Sequence, residues 1–528
     1  MLFTSYEFIA FIAAVFLLYY AFPLRYRWIF LLAASLGFYA IADPRYLIFV
    51  GVTVVTAYFS SLRMDTLNLE QTEFLKEHKA EMSSEEKKKY KEKMKKKKRL
   101  FLLIGLLVNL GILSVTKYTN FVIESINSFM SDTACLRTVD LIIPMGISFY
   151  TFQTVSYVID VYRGTQRAEK NIFKLSLFVT FFPQMVQGPI SRFGQLSKTL
   201  YNPEPLNSKM ISMGVGRIAW GYFKKVVIAD RLITAVKALV DNPDTYSGTY
   251  VFVAMLFYAF ELYCDFTGGI DITIGIANTM GIKVAENFNL PYFSKNIKEY
   301  WNRWHITMGT WFTDYIFYPI SVCSPMLKLS KWSRAHLGSV IGKRVTVYLA
   351  SLAVWFTTGL WHGAAWNFIV WGLMNFVVIM ISQELEPLYD KFHKKCPWYK
   401  KAPYTVFQVV RTILLMSAIR MFDCYRDVPL TFSMVGSMFT EPKPGIFTDG
   451  SLLGLGLSSA DYLILLAGLL IVLGVSLVKV RVGSVRELIY KRSELLYYLV
   501  VAAITVVTFV FGAYGVGYDS SQFIYNQF

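Results

Sequence analysis

Two of the five histidines, His305 and His362, sit where an ionisable side chain is expensive. His362 stands in TTGLWHGAAWN, inside a stretch from Val345 to Ile381 with no Asp, Glu, Lys or Arg. An ionisable group at such depth marks a functional site by default. His305 lies in KEYWNRWHITMGTWFTDYIFYP, among Trp301, Trp304 and Trp311, whereas His78, His336 and His393 fall in Lys/Arg-rich connections. A neutral imidazole in a poorly hydrated site can take the proton of a hydroxyl as that hydroxyl attacks an acyl carbon, if the acyl group arrives activated, as in a thioester. Burial disfavours the imidazolium and keeps the base available. The sequence offers no rival device: there is no GxSxG elbow, no GxxxxGK[ST] phosphate loop and no dinucleotide fingerprint. Cys135, Cys264, Cys323, Cys396 and Cys424 show no CxxC pair and no His at ligand spacing, so neither a disulfide framework nor a zinc site is indicated.

The elements that must position these residues follow from length and period. As one helix, Val345 to Ile381 would be about 55 Å long against a hydrocarbon core of about 30 Å, so it must break. The predicted place is Gly359 to Gly363, facing protein or a water-filled cavity. Around His305, helical spacing puts Trp301, Trp304, His305, Met308, Trp311, Phe312 and Tyr315 on one broad face, with Asn302, Arg303, Thr310 and Asp314 toward the other. That predicts one amphipathic helix; an interfacial aromatic belt accounts for the same pattern. Glu261, Asp265 and Asp271 cluster in ELYCDFTGGIDITIG. The two Asp do not share a helix face, so capping of a re-entrant helix or bonding of a tunnel-lining group is expected there, not paired acid/base chemistry. FFPQMVQGPISRF, which contains Gln187, and PMGISFYTFQTVSYVIDVYRG read as broken or tightly packed backbone lining a cavity, and GVGR at Gly214 as a close-packing stripe.

The 528 residues are 55% hydrophobic, 16% aromatic and 17% charged, all displaced from a soluble domain in one direction. Twelve apolar runs between 8 and 515 predict an all-α polytopic membrane protein with ten to twelve spanning helices. Two interrupted segments, Leu141 to Val158 and Phe266 to Ile282, are expected to be short or re-entrant. Phe8 to Phe22 lacks a basic n-region, is followed by PLRYRW instead of a small-residue cleavage site, and reads as a first membrane helix. One membrane domain over 1–528 is expected, with a basic cytoplasmic loop at 63–99. Within it, residues 76–99 hold eleven Lys and one Arg against five Glu, which places the loop in the cytoplasm and the N-terminus outside. Ser83 and Glu86 form a capping box for a helix to Arg99. The net charge of +17 is concentrated beside membrane segments, which favours an anionic membrane face over nucleic acid as its counterpart.

With both histidine strings in view, the chain resembles the membrane-bound O-acyltransferase family, in the bacterial branch of alginate O-acetylation and D-alanyl transfer proteins, and is closer to the alginate-type group. The resemblance rests on PMGISFYTFQTVSYVIDVYRG, FFPQMVQGPISRF, YCDFTGGIDITIGIANTMGI, YWNRWHITMGTWFTDYIFYP, TGLWHGAAWNFIVWG and SSQFIYNQF, in that order. It implies a helical bundle of roughly eleven spanning helices around a tunnel. It also implies a cytoplasmic acyl thioester donor, acetyl-CoA foremost and with no resident cofactor, and a hydroxyl of an extracytoplasmic polysaccharide or peptidoglycan as acceptor. The family's two histidines map onto His362 and His305 as catalytic residues. Trp304, Asn302, Arg303 and Trp361 match neighbouring motif positions as lining or orienting residues, and Asp265 and Gln187 join them as tunnel candidates. Whether His362 acts as base or carries the acyl group transiently stays open. A secreted or membrane-anchored SGNH-type acyltransferase is the implied partner, in the plasma or inner membrane. FTDYIFYPISVCSP and RMFDCYRD depart from the alginate-type pattern, which leaves the acceptor open.

Three functions compete with envelope acetylation. D-alanylation of teichoic acid from a carrier protein shares both histidine strings. A transporter or flippase would use broken helices at the midplane, yet predicts matching halves that the sequence lacks. A non-catalytic scaffold would tolerate loss of His362.

Overall fold

A computed structural model describes residues 3–130 and 135–514, and the terminal SSQFIYNQF lies outside the described residues. The described chain is helical throughout, as the apolar periodicity predicts. Among the described residues eight helices are long and apolar enough to cross a membrane, while Tyr6–Ala21 and Val428–Thr440 are shorter apolar helices. The chain is a multi-pass membrane protein. It divides into two compact units, one of residues up to 214 together with 276–285, the other of 215–275 together with the residues from 286 onward.

In the first unit the segment expected as a loop at 63–99 is a helical hairpin. Tyr46–Glu77 runs on past residue 63, and the capped helix continues from Ser84 to Asn127 instead of ending at Arg99. The capping box forms as predicted: Ser83 Oγ accepts from the Glu86 N–H and Glu86 Oε2 accepts from the Ser83 N–H. The charged arms stay helical because they hold each other. Tyr90 stacks on Phe74 at 4.2 Å between ring centroids, and Lys98 Nζ donates to Asn68 Oδ1 at 2.7 Å. Ile147–Arg163 is nearly all buried, with Gly146 at its start in the left-handed region. The apolar run at 172–187 splits into Ile172–Thr180 and Pro183–Gln187, since Pro183 removes a backbone donor.

The second unit holds the helix that the sequence reading broke. Phe266 to Ile282 is not re-entrant: Thr249–Thr279 is one continuous helix, 72% of its most apolar window buried. Its glycines serve contact instead of a turn. A Cβ on Gly268 would lie 2.9 Å from the Gly221 carbonyl oxygen, so the neighbouring helix Ser208–Tyr222 approaches backbone to backbone. Ser324–His362 is interrupted by non-helical backbone at Gly338, at φ 80°, and the arm beyond that break forms a tight hairpin with Trp366–Glu384. Outward faces such as Leu463, Leu466 and Leu470 on Ser459–Val482 are exposed and apolar, as lipid contact requires.

Candidate active site

The break predicted at Gly359 to Gly363 occurs at its far end. Ser324–His362 stops on His362, the Gly363 N–H donates to the Gly359 carbonyl at 3.3 Å, and the next helix starts at Trp366. The hairpin closes on glycines. A Cβ on Gly359 would stand 2.5 Å from the Phe368 carbonyl oxygen, and one on Gly372 would stand 2.4 Å from that of Trp355. This packing holds the buried His362 ring against two indoles, with centroids 5.0 Å from Trp361 and 4.6 Å from Trp371.

The single amphipathic helix expected around His305 does not form. Ile297–Arg303 ends at Trp304, and a new helix runs from Ile306 to Phe312, with His305 between them in the left-handed region at φ 47°. The cause is a residue eighteen positions upstream. Asn287 Oδ1 accepts from the Thr307 N–H at 3.1 Å and from Thr307 Oγ1 at 2.9 Å, capping the second helix from outside. The Asn287 carbonyl also accepts from the Ile306 N–H at 3.0 Å, and the Arg303 carbonyl from the Asn289 N–H at 3.0 Å. The segment 287–306 is therefore a loop tied at its base.

Asn287 Oδ1 also lies 3.2 Å from His305 Nδ1. A backbone N–H can only donate, so the Asn287 atom facing Thr307 is the oxygen, and Nδ1 carries the hydrogen toward it. Nε2 of His305 is then the basic nitrogen. Burial first, and the Arg420 guanidinium second, hold this imidazole neutral, well below its ordinary range.

The structure brings together four of the residues singled out in the sequence. Trp361 is in edge contact with both imidazoles, 5.8 Å from His305 and 5.0 Å from His362, and Trp304 stacks on Tyr300 at 5.6 Å beside His305. Asn302 and Arg303 do not join them. Asn302 is exposed, and Arg303 braces its own loop, donating to Glu299 Oε1 at 2.6 Å and to the Leu290 carbonyl at 3.4 Å. Both lie toward the polar side that helical spacing assigned them, so neither reaches the imidazoles. Asp265 is buried in an ion pair with Lys225 Nζ at 2.6 Å, and Lys225 also meets Asp230 at 2.7 Å; this replaces the expected cap on a re-entrant helix. Its chain neighbour Phe266 packs edge-on against His305 at 5.0 Å. Gln187 belongs to the first unit, buried at the end of Pro183–Gln187.

Sequence reasoning missed Asn287, Trp371 and Arg420. Arg420 and Asp423 sit in RMFDCYRD, noted above only as a departure from a pattern; they form a buried pair at 3.1 Å. Trp371 lies in TGLWHGAAWNFIVWG, whose resemblance to the family motif was a signal for the string and not for this residue, and Asn287 carried no signal beyond its residue type.

A polar cavity lies beside this cluster. Arg217, Lys224 and Lys479 face Asp271 and Glu286 in its lining. Phe288, also in its wall, touches Trp304 at 5.1 Å.

The profile of the membrane-bound O-acyltransferase family matches residues 166–425, which contain both histidines and Arg420. A probable alginate O-acetylase AlgI of Azotobacter vinelandii is 32% identical over 389 residues, covering 73% of this chain and 69% of the relative. A peptidoglycan O-acetyltransferase of Helicobacter pylori is 31% identical over 395 residues, covering 70% and 67%. A teichoic acid D-alanyltransferase of Bacillus subtilis is 28% identical over 279 residues, covering 51% and 66%. The chain belongs to the membrane-bound O-acyltransferase family and is an O-acyltransferase.

Proposed function

We propose that this enzyme moves an acetyl group from a cytoplasmic thioester, acetyl-CoA, to hydroxyls of an extracytoplasmic polysaccharide or peptidoglycan, through a secreted or membrane-anchored SGNH-type acyltransferase partner. The observation that carries this reading is the cluster of His362, Trp361 and His305 at two helix ends of an O-acyltransferase chain. His362 is the base. It takes the proton of the attacking hydroxyl, and the indoles of Trp361 and Trp371 exclude water and fix the ring. A base works best with a pKa near the working pH, and His305 is held far below that, so it orients the acceptor or donor through Nε2 instead of removing the proton.

The acetyl reading rests on the alginate O-acetylase and peptidoglycan O-acetyltransferase relatives, each matching more of this chain than the D-alanyltransferase does. The D-alanyltransferase relative keeps transfer from a carrier protein as the second reading, and both donors carry a phosphopantetheine. The cavity beside Trp304 suits such a group, with three cations against two carboxylates in its wall. Lys479, in the cavity wall, and Arg481, Arg486, Lys491 and Arg492 near the adjoining helix ends support a cytoplasmic reading of that side. The basic charge of the 63–99 hairpin separately supports a cytoplasmic hairpin and an outside N-terminus.

The test is mass spectrometry of envelope glycans from a strain lacking the chain, complemented with wild type or His362→Ala. Loss of O-acetyl groups with restoration only by wild type is expected. Unchanged glycans in the deletion strain, or full restoration by His362→Ala, would remove the catalytic reading; loss of D-alanine instead of acetate would select the second one.

A further inference from the structure

We propose that Arg420 supplies the electrophilic half of the transfer step, donating from Nε–H and Nη2–H to the carbonyl oxygen of the acyl group. This role rests on the acyl-transfer reading above. Arg420, in helix Ala402–Tyr425, is 5% exposed. Its guanidinium lies over indole faces, with Cζ 4.7 Å from the Trp304 ring, 5.5 Å from Trp371 and 5.9 Å from Trp301. Nη1 donates to Asp423 Oδ2 at 3.1 Å, and the Tyr300 hydroxyl interacts with the same guanidinium. Nε and Nη2 are buried and meet no acceptor among the described residues.

Indole faces stabilise the charge of the guanidinium plane but do not accept its in-plane N–H groups. A buried donor without an acceptor is destabilising, so a guanidinium kept only for packing uses its nitrogens on its own chain. Here two remain for a ligand, and the shared walls say which ligand atom they meet. Trp371, under Arg420, is 4.6 Å from the His362 ring, and Trp304, also under Arg420, adjoins His305 in the chain. Between a base acting on a hydroxyl and a thioester, the atom on which negative charge develops is the acyl oxygen, and preorganised donors aimed at it act most strongly in a dry site.

The step balances with the groups named. The hydroxyl oxygen bonds to the acyl carbon as His362 takes its proton, and the carbonyl π pair moves onto oxygen, where the Arg420 donors hold it. Collapse re-forms the carbonyl and breaks the C–S bond, and the thiolate leaves with the proton from His362. An ester and a free thiol result.

The experiment supplies acetyl-labelled acetyl-CoA to permeabilised cells carrying the full-length chain and their own envelope acceptor, and follows initial rates of labelled ester formation. The double variant Arg420→Gln/Asp423→Asn removes both charges together and strands neither. Its kcat is expected to fall about 10²–10³-fold with KM for acetyl-CoA unchanged. Arg420→Ala is expected to recover activity when methylguanidine is added. A wild-type rate in the double variant, a change in KM alone, or losses that methylguanidine does not relieve in Arg420→Ala would each reduce Arg420 to a structural ion pair. His362→Ala runs in parallel: if it too acetylates at the wild-type rate, or if wild type forms no labelled ester, the acetyl-transfer reading fails and this role with it.

Discussion

Arg217 and Arg420 are both buried guanidinium groups of the second unit, and their surroundings differ in kind. Arg217 places every nitrogen on a carboxylate: Nε donates to Asp271 Oδ1 at 2.7 Å, and Nη1 and Nη2 donate to the two oxygens of Glu286 at 2.5 and 2.6 Å. Lys224 closes the network through Asp271 Oδ2 and Thr267 Oγ1, both at 2.7 Å. Arg420 has one carboxylate contact and a floor of indoles. The closed network ties Ser208–Tyr222 and Thr249–Thr279 to Glu286, whose neighbour Asn287 sets the break at His305. A saturated guanidinium fixes distances; an unsaturated one is available to a reacting group.

Four substitutions break or sharpen this contrast. The largest effect is expected at His362, where Ala should lower the transfer rate per folded molecule by about 10²–10⁴-fold, far more than the loss of its buried ring lowers the folded fraction in detergent. A rate loss accompanied by an equal loss of folded protein would move His362 to the structural side. Arg217→Met should do the reverse, removing about 3 kcal/mol of stability, the lower end for a broken buried pair because the Glu286 side chain is 61% exposed. Its kcat per folded molecule at saturating donor, measured on the purified chain, should stay near wild type if the network only holds distances, whereas KM for acetyl-CoA should rise because Arg217 also lines the cavity proposed for the donor. Gly359→Ala, whose Cβ meets the Phe368 carbonyl, should destabilise by about 2 kcal/mol and slow transfer by displacing His362. Unchanged melting and rate would show that the hairpin yields there. Asn287→Ala should have the smallest effect, about 1–2 kcal/mol, since it removes the external cap on Ile306–Phe312. Normal rates in that variant would mean that His305 keeps its place without the Nδ1 contact.

What the sequence disclosed follows from how local each signal was. His362 was visible because an apolar run without charge makes a single imidazole conspicuous, and the two nearby glycines announced a break that the structure puts at Gly363. The cap of Ser83 and Glu86 spans four residues and was equally plain. The helix through His305 was misread because the residue that breaks it, Asn287, is distant in sequence and acts through a tertiary hydrogen bond. Asp271 and Arg217 are 54 positions apart, and nothing in either segment specifies the other. The same holds for Arg420, whose meaning lies in indoles contributed by other helical segments. Asp265 and Asp271 suggested a re-entrant turn because their cations, Lys225, Lys224 and Arg217, come from another part of the chain.

The left-handed backbone at His305 has a consequence for how this position can vary over generations. Among residues other than glycine, Asn, Asp and His enter that region most readily, and a β-branched residue there is an outlier. Most single-nucleotide paths away from a histidine codon lead to residues such as Leu, Pro, Gln or Arg, which replace the ring and enter that region less readily, Leu290 and Arg426 being the other non-glycine residues of the described chain that do so. Asn and Asp are the exceptions, keeping the path while discarding the imidazole. Drift at this position is therefore confined to few destinations, and a natural homologue carrying the His305→Asn exchange would be an experiment already performed on whether the enzyme needs the ring or only the bend.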